Sequence, residues 1–226
     1  MKIMKQLPLV AFLVFARGVS AQGFVNLDFE SATIVPDTSS PYYPNAVYAS
    51  DAVPGWAVGG FLGPNEMFYN TISVGAPNVS IVSSANGFPS AIDGAFSVFL
   101  QGGDTPTPSA FISQTGLIPA SARSLLFKAQ ADGGAPINSL AVSVGGQNMS
   151  FSAISTGPNY TLYGSDISAA AGLIRLLTFS VQEGYQWNID DIQFSASSIP
   201  EPSVFGLLTL GALFLGLRRW CKPRMT

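Results

Sequence analysis

Short stretches in which apolar and polar residues alternate recur through the middle of the chain. Alternation is clear in Phe96–Leu100 and Leu125–Ala129, and Leu173–Val181 follows it with Arg175 as an interruption. Because successive side chains of a strand point to opposite faces, this period of two predicts half-buried β-strands. Val25–Glu30 alternates in the same way and predicts a first strand.

Turn signals separate these stretches, and helix signals are rare. The turn-forming pairs include Pro54-Gly55, Gly63-Pro64, Asn86-Gly87, Gly145-Gly146 and Gly157-Pro158. Between the termini, residues 166–172 predict one helical turn. The pattern therefore predicts an all-β domain over residues 22–198, built as a β-sandwich or jelly roll.

The N-terminal segment has the layout of an export signal. Lys2 and Lys5 precede an apolar run over residues 7–16, and Val19-Ser20-Ala21 then places small residues at the −3 and −1 positions of a cleavage site. This order predicts a secretory signal peptide over residues 1–21, cleaved between Ala21 and Gln22. A retained N-terminal anchor is the alternative, but the apolar run is short for a membrane span.

The C-terminal segment, residues 199–226, has a different layout. Pro200, Glu201 and Pro202 precede an uncharged apolar run over residues 204–217, and a basic tail follows. The run has 14 residues, against the ~20 that usually cross a bilayer. Basic residues beside an apolar helix stay on the cytoplasmic side. We therefore expect a transmembrane helix over residues 204–217, with its basic tail inside.

The Pro-Glu-Pro step, the apolar helix and the basic tail together resemble the PEP-CTERM sorting signal of Gram-negative bacteria. The resemblance implies that an exosortase, a membrane transpeptidase-like protease, cleaves near Pro200–Pro202. It also implies transfer of the protein to the cell surface or extracellular matrix. Proteins with this signal often accompany exopolysaccharide and biofilm production.

Composition and charge exclude several classes of function. The chain has a net charge of −3, but three basic and twelve acidic residues lie between Gln22 and Ile199, which gives that region −9. Such a region cannot displace counterions from a phosphate backbone, so nucleic acid is not an expected partner. The chain has no His and one Cys, which exclude a Ser-His-Asp triad, a His-ligated zinc and an intrachain disulfide.

Three short motifs in the middle region are similar to those of galactose-binding-like jelly rolls. They are Asn26-Leu27-Asp28-Phe29-Glu30, Pro54-Gly55-Trp56 and Trp187-Asn188-Ile189-Asp190-Asp191-Ile192. Because that family includes many carbohydrate-binding modules, the resemblance implies a jelly roll and a polysaccharide ligand. A fold of this kind hosts many functions.

Asp190 is the strongest candidate for a metal ligand. It shares the alternation phase of Ile192 and Phe194, and a carboxylate on an apolar phase needs a partner. Ca²⁺ is a suitable one because it prefers oxygen ligands. The resemblance implies a structural calcium held by Glu30 and Asp190. The alternative is that Asp190 caps a turn and Glu30 lies on the wet face of a strand.

The candidate sugar contacts are three tyrosines in a region rich in Pro, Asn and Ser: Tyr42, Tyr43 and Tyr48. Flat rings with a few polar neighbours are typical of sugar clefts. Trp56 follows a turn and is expected in the core.

Catalysis has little support in the sequence. Asp190 and Asp191 are adjacent, so on a regular strand they would point to opposite faces and could not act as a pair. A Gly-x-Ser-x-Gly nucleophile turn is missing.

The expected function is an exported, non-catalytic surface or matrix protein that binds polysaccharide. The alternatives are a structural or adhesive matrix protein and a polysaccharide-acting hydrolase or lyase.

Overall fold

The computed structural model describes residues 22–39, 42–72, 75–104 and 110–199. The predicted signal peptide, Pro200–Pro202 and the predicted membrane helix over 204–217 lie outside these residues. Within the described ranges, no helix has the length and apolar character needed to cross a membrane.

The strands of the described part of the chain form two β-sheets, one of eight strands and one of five. The strands of the larger sheet, in spatial order, are β1 (Ala46–Tyr48), β3 (Glu66–Tyr69), β4 (Asn78–Ser83), β5 (Phe96–Gln101), β13 (Gln186–Ser195), β7 (Ser124–Ala131), β11 (Thr161–Asp166) and β10 (Ser152–Thr156). Those of the smaller sheet are β2 (Ala57–Gly59), β6 (Phe111–Leu117), β12 (Ile174–Val181), β8 (Leu140–Val144) and β9 (Gln147–Asn148). Neighbouring strands are antiparallel except β3 and β4, which are parallel.

Helical structure in the described residues is limited to short pieces. They are α1 (Ala49–Ala52) and two 3₁₀ turns, Ile137–Ser139 and Ser168–Ala170. The second 3₁₀ turn confirms the helical turn predicted over residues 166–172. The all-β prediction is confirmed, as are the strands predicted from the alternation around Phe96, Leu125 and Leu177.

The two sheets bury one apolar core between them. Phe127 of β7 meets Phe179 of β12 edge-on, with 5.2 Å between ring centroids, and neither ring is exposed. The indole nitrogen of Trp187 donates a hydrogen bond to Ser139 Oγ at 2.8 Å, which satisfies its polar atom inside the core. Trp56 is buried, as expected, and its indole donates to the carbonyl of Asn26 at 2.9 Å.

The strand predicted over Val25–Glu30 is wrong, because this segment forms a tight turn. Asn26 and Phe29 adopt left-handed backbone angles, with φ of 49° and 57°. Asn26 Oδ1 accepts a hydrogen bond from the amide of Ser31, and Asp28 Oδ1 accepts one from the amide of Glu30. Polar side chains that bond nearby amides favour turns over strands. Phe29 still packs on Trp56, with centroids 5.6 Å apart.

The last strand, β13, contains a bulge that changes which residues share a face. Ile189 pairs with Ala129 and Asp190 with Lys128, and pairing resumes at Gln193 after a register shift. Asp191 has a φ of 44° inside this bulge. Ile189 and Ile192 therefore both enter the core. The expectation that Asp190 shares the phase of Ile192 is wrong, because the extra residue places Asp190 on the outer face beside Lys128.

Candidate metal site

An acidic cavity of about 240 Å³ lies on the outer face of the larger sheet. It is lined by Asp28, Glu30, Asp93, Gly94, Asp190 and Asp191. These residues come from three separate parts of the chain: the turn near residue 28, the loop before β5, and the bulge of β13. The cavity therefore exists only when the whole sheet is assembled.

The loop between β4 and β5, residues 84–95, covers the outer face of β13. Asn188 Nδ2 donates a hydrogen bond to the carbonyl of Ser90 at 2.8 Å, and Asn188 Oδ1 accepts one from Ser97 Oγ at 2.7 Å. Ile92 of the same loop is buried. The hydrogen bond to Ser90 and the burial of Ile92 hold the loop against the sheet, so Asp190 is only 1% exposed although it lies on the outer face.

Asp190 is a buried acid, and only one of its two carboxyl oxygens is hydrogen-bonded within the described residues. Its Oδ1 accepts the amide of Asp191 at 2.7 Å. Its Oδ2 is buried and forms no hydrogen bond with the described residues, although the backbone amide of Asp93 lies near enough to the carboxyl to lower its pKa. Burial raises the pKa of Asp190 to about 8, and the nearby carboxylates of Asp93 and Glu30 add to this rise. The backbone amides of Asp191 and Asp93 lower the pKa, but they offset only part of the effect of burial.

Asp191 lies in the same cavity as Asp190, against the expectation that the two point to opposite faces. The left-handed φ of Asp191 within the bulge turns both side chains to one side. The bulge is tied to the turn around residue 28, because the amide of Ile192 donates to the carbonyl of Leu27 at 2.9 Å. This bond brings the acidic turn and the acidic bulge together.

Glu30 joins the turn to the covering loop. Its Oε1 accepts the amides of Ala95 at 2.8 Å and Phe96 at 3.1 Å. Gly94 has a φ of 55°, and a Cβ placed on it would collide with the Glu30 carboxylate. Glycine at this position therefore lets the carboxylate approach the loop backbone closely.

Lys128 is the basic residue that reaches this cluster. Its Nζ lies 2.8 Å from Asp191 Oδ2 and also forms an ion pair with Asp93 Oδ2. The hydrogen bond to Lys128 lowers the pKa of Asp93 despite partial burial. Burial alone would lower the pKa of Lys128, but the bonds to Asp191 and Asp93 raise it above its usual range.

The chemistry of these residues fits a hard cation such as Ca²⁺. The cavity offers several carboxylate oxygens, among them a buried Asp190 oxygen that forms no hydrogen bond with the described residues, and a glycine that lets Glu30 approach the covering loop. No three acidic, His or Cys side chains in the described ranges already stand close enough together to form a finished metal cage. A cation would therefore have to draw the carboxylates inward.

The structure brings the two sequence-predicted ligands, Glu30 and Asp190, to one cavity. Sequence reasoning missed Asp28, Asp93, Asp191 and Lys128. Asp93 precedes Gly94 in an Asp-Gly pair that signals a turn, and Lys128 is one of three basic residues in the acidic region. Neither signal indicates which carboxylates these residues meet.

The three candidate sugar-contacting tyrosines lie apart from the cavity and differ in surroundings. Tyr42 is 85% exposed. Tyr43 packs edge-on against Phe61 and Phe68, with centroids 5.6 Å and 6.0 Å away. The hydroxyl of Tyr48 donates to Asp37 Oδ1 at 3.1 Å, and this bond raises the pKa of Tyr48. Tyr42 is thus the ring most open to a ligand.

Comparisons with known proteins add little to this picture. No protein-family model and no curated protein matches the chain. The enzymatically active domain of tailspike protein 4 from bacteriophage CBA120 resembles 63% of this chain, at 16% identity and a TM-score of 0.37. The secreted serine protease VesC from Vibrio cholerae resembles 74% of it, at 8% identity and a TM-score of 0.32. The matches span 19% and 44% of those two chains. Likenesses this distant define no family for the chain.

Proposed function

We propose that the described domain is a non-catalytic, galactose-binding-like jelly roll that binds calcium in the cavity between Glu30 and Asp190. The observation behind this proposal is the buried Asp190 Oδ2, which forms no hydrogen bond with any of the described residues. Such an atom is costly unless a proton or a cation compensates it. When bound, Ca²⁺ would supply a positive charge to this buried acid and a common centre for the carboxylates around it.

The residues of this chain have distinct tasks in such a site. Asp190 provides the buried carboxylate, and Glu30 couples the site to the covering loop through the amides of Ala95 and Phe96. Cation uptake displaces the proton that Asp190 holds below its pKa of about 8, so affinity rises with pH over the neutral range.

Isothermal titration of the purified full chain with CaCl₂ tests this proposal. Wild type is expected to take up Ca²⁺ and to melt at a higher temperature with it, because a ligand that binds the folded state stabilises it. Asp190→Asn should abolish both effects, and Asp132→Asn, outside the cavity lining, should leave them intact. Absence of uptake by wild type at millimolar Ca²⁺ would refute the site.

We further propose that the domain is exported, that a membrane exosortase processes its C-terminal signal, and that the product is then carried to the cell surface or extracellular matrix. The acidic region between two basic ends supports this orientation, since basic segments stay in the cytoplasm. Protease added to intact producing cells should then degrade the domain. A domain fully protected in intact cells and exposed only after lysis would contradict export to the surface.

Polysaccharide is the ligand proposed for the surface near Tyr42. The ring is 85% exposed, and an exposed aromatic can stack on a sugar ring. A glycan array with the purified chain should lose its signal in Tyr42→Ala, while Tyr185→Ala keeps it. Tyr42 is a cleaner probe than Tyr43, whose removal also disturbs Phe61 and Phe68. Equal binding by the two variants would exclude Tyr42 as the contact.

The non-catalytic part of the proposal is supported by the sequence, which has no His and no Gly-x-Ser-x-Gly nucleophile turn. A search for turnover of polysaccharides tests this part. Hydrolysis or lyase activity that disappears in Asp190→Asn or Glu30→Gln would overturn it and favour the enzymatic alternative.

An adhesive role is the second candidate function, and one edge of the larger sheet favours it. All five residues of β10 are exposed, and within the described part of the chain the strand pairs on one side only, with β11. An unpaired strand edge can add a strand from another chain. Size-exclusion chromatography with light scattering should show association that Ile154→Lys abolishes. A monomer at all concentrations would contradict self-adhesion through this edge.

A further inference from the structure

Lys128 reaches the acidic cavity from the neighbouring strand. It lies on β7 directly opposite Asp190 in the strand register, and its side chain is only 16% exposed. Its ammonium group pairs with one oxygen of Asp93 and lies 2.8 Å from Asp191 Oδ2. Two carboxylates that line the cavity are therefore already engaged with a positive charge of the protein itself.

The placement of this charge divides the cavity into two parts. Asp93 and Asp191 at the mouth share the single positive charge of Lys128, whereas the buried Asp190 Oδ2 forms no hydrogen bond with any described residue. A cation that binds Asp190 and draws Asp93 and Asp191 inward would compete with the ammonium group for the same carboxylate oxygens. Like charges at such distances repel each other even when water screens them partly.

The ring of Tyr160 offers Lys128 a place away from the carboxylates. The ammonium nitrogen lies 5.0 Å from the centroid of this ring, within the range of a cation–π contact. Tyr160 stands next to β11, the strand that pairs with β7 on the side away from β13. Lys128 can therefore give up Asp93 and Asp191 without losing every favourable contact.

We propose that Lys128 is an internal counter-ion that competes with a divalent cation for Asp93 and Asp191 and so sets the affinity of the site. This inference rests on the calcium site of the proposed function. Without a divalent cation, Lys128 stabilises the cavity. When the cation binds, the ammonium group moves off the shared oxygens toward Tyr160.

Lys128→Met tests the competition because methionine keeps the apolar stem and removes the charge. Arg175→Met is the matched control, since it removes one positive charge from β12 of the smaller sheet. We expect Lys128→Met to bind Ca²⁺ about tenfold or more tightly in calorimetric titration. Arg175→Met is expected to change the affinity less than about twofold, because distant surface charges are screened by salt.

Melting temperatures with and without Ca²⁺ provide a second measurement, which distinguishes this competition from a purely structural role of Lys128. In EDTA, Lys128→Met should melt below wild type, because Asp93 and Asp191 repel each other without a counter-ion. In saturating Ca²⁺ that deficit should vanish or reverse. A variant that is destabilised equally in both conditions, with unchanged or weaker Ca²⁺ affinity, would overturn the competition.

The two proposals fail in different ways. If wild type binds no Ca²⁺ and Lys128→Met does, the lysine occupies the site and the competition is supported, while the resident calcium is refuted. If wild type binds Ca²⁺ and Lys128→Met binds no tighter, the calcium site stands and the competition is refuted. Absence of binding in both proteins refutes both.

Discussion

Asp190 and Lys128 stand directly opposite each other across β13 and β7, yet among the described residues Lys128 forms its ion pairs with Asp93 and Asp191 and not with Asp190. The ammonium group reaches past its register partner to Asp93 and Asp191. The buried carboxyl of Asp190 is left to be compensated by a proton or a cation. This separation underlies both the pH dependence and the cation dependence expected below.

The metal-free protein should lose stability as pH rises from about 4 to about 8. Asp190 has a folded-state pKa of about 8 against an ordinary value of 3.8, so the folded state holds a proton that the unfolded state has released. The free energy of unfolding then falls by about 1 kcal/mol per pH unit in this window from Asp190 alone. Below about pH 4 the stabilisation that comes from the raised pKa of Asp190 is fully present, and above about pH 8 it has been lost.

Urea unfolding in EDTA at pH 5, 6, 7 and 8 measures this effect, with Asp190→Asn as the reference. The asparagine variant cannot ionise at this position, so its stability relative to wild type should rise steadily over the series. Parallel profiles for the two proteins would mean that Asp190 does not hold its proton in the folded state.

Replacing Gly94 with alanine should disturb the site through the backbone. The left-handed φ of 55° disfavours any side chain, and the new Cβ would strike the Glu30 carboxylate. We expect a loss of about 2 kcal/mol or more in the free energy of unfolding, together with weaker Ca²⁺ binding. Gly87→Ala in the same loop is the control, because nothing lies within 4 Å of its Cβ position. Equal effects of the two substitutions would argue against the close approach of Glu30.

Glu30→Gln separates the structural task of this side chain from its charge. The amide oxygen can still accept from Ala95 and Phe96, so the free energy of unfolding should fall by less than about 1 kcal/mol. Ca²⁺ affinity should fall by about tenfold because a charged ligand is lost. Glu30→Ala should lose both affinity and the loop contacts. Wild-type affinity in Glu30→Gln would remove Glu30 from the metal site.

The core contact between the two sheets can be tested at Phe127. This unexposed ring stacks on Tyr163 with centroids 5.6 Å apart and meets Phe179 edge-on. Phe127→Ala should reduce the free energy of unfolding by about 3–5 kcal/mol, measured by chemical denaturation. Gln130→Ala, at an exposed position of the same strand, should change it by less than about 0.5 kcal/mol. A mild effect at Phe127 would contradict the packing of the two sheets.

The ends of the mature protein follow from the two predicted processing signals. Mass spectrometry of material recovered from the producing cells should find Gln22 as the first residue and a C-terminus near Pro200–Pro202. The apolar segment over 204–217 and the basic tail should be missing. Mature protein with both ends intact would refute the signal peptide and the sorting signal together.

Alternation of apolar residues was enough to predict the strands around Phe96, Leu125 and Leu177, because each of these segments has one side in the core. The same rule failed at Val25–Glu30. There, side-chain hydrogen bonds from Asn26 and Asp28 hold a turn, and Phe29 and Trp56 contribute to the core without a regular strand. Side-chain hydrogen bonds to nearby backbone amides compete with strand pairing without changing the spacing of apolar residues. The periodicity of the sequence therefore cannot detect them.

The amino-acid sequence by itself determined the all-β class, the acidic charge of the middle region and the candidate ligands Glu30 and Asp190. Tertiary structure decided how these acids are used. The bulge at Asp191 changed the face of Asp190, the loop over residues 84–95 buried it, and Lys128 paired with Asp93 and Asp191 instead. Contacts such as that of Glu30 with Ala95 join residues 65 positions apart. They form only when the whole sheet has folded, because no local pattern specifies which distant backbone will lie beside a given side chain.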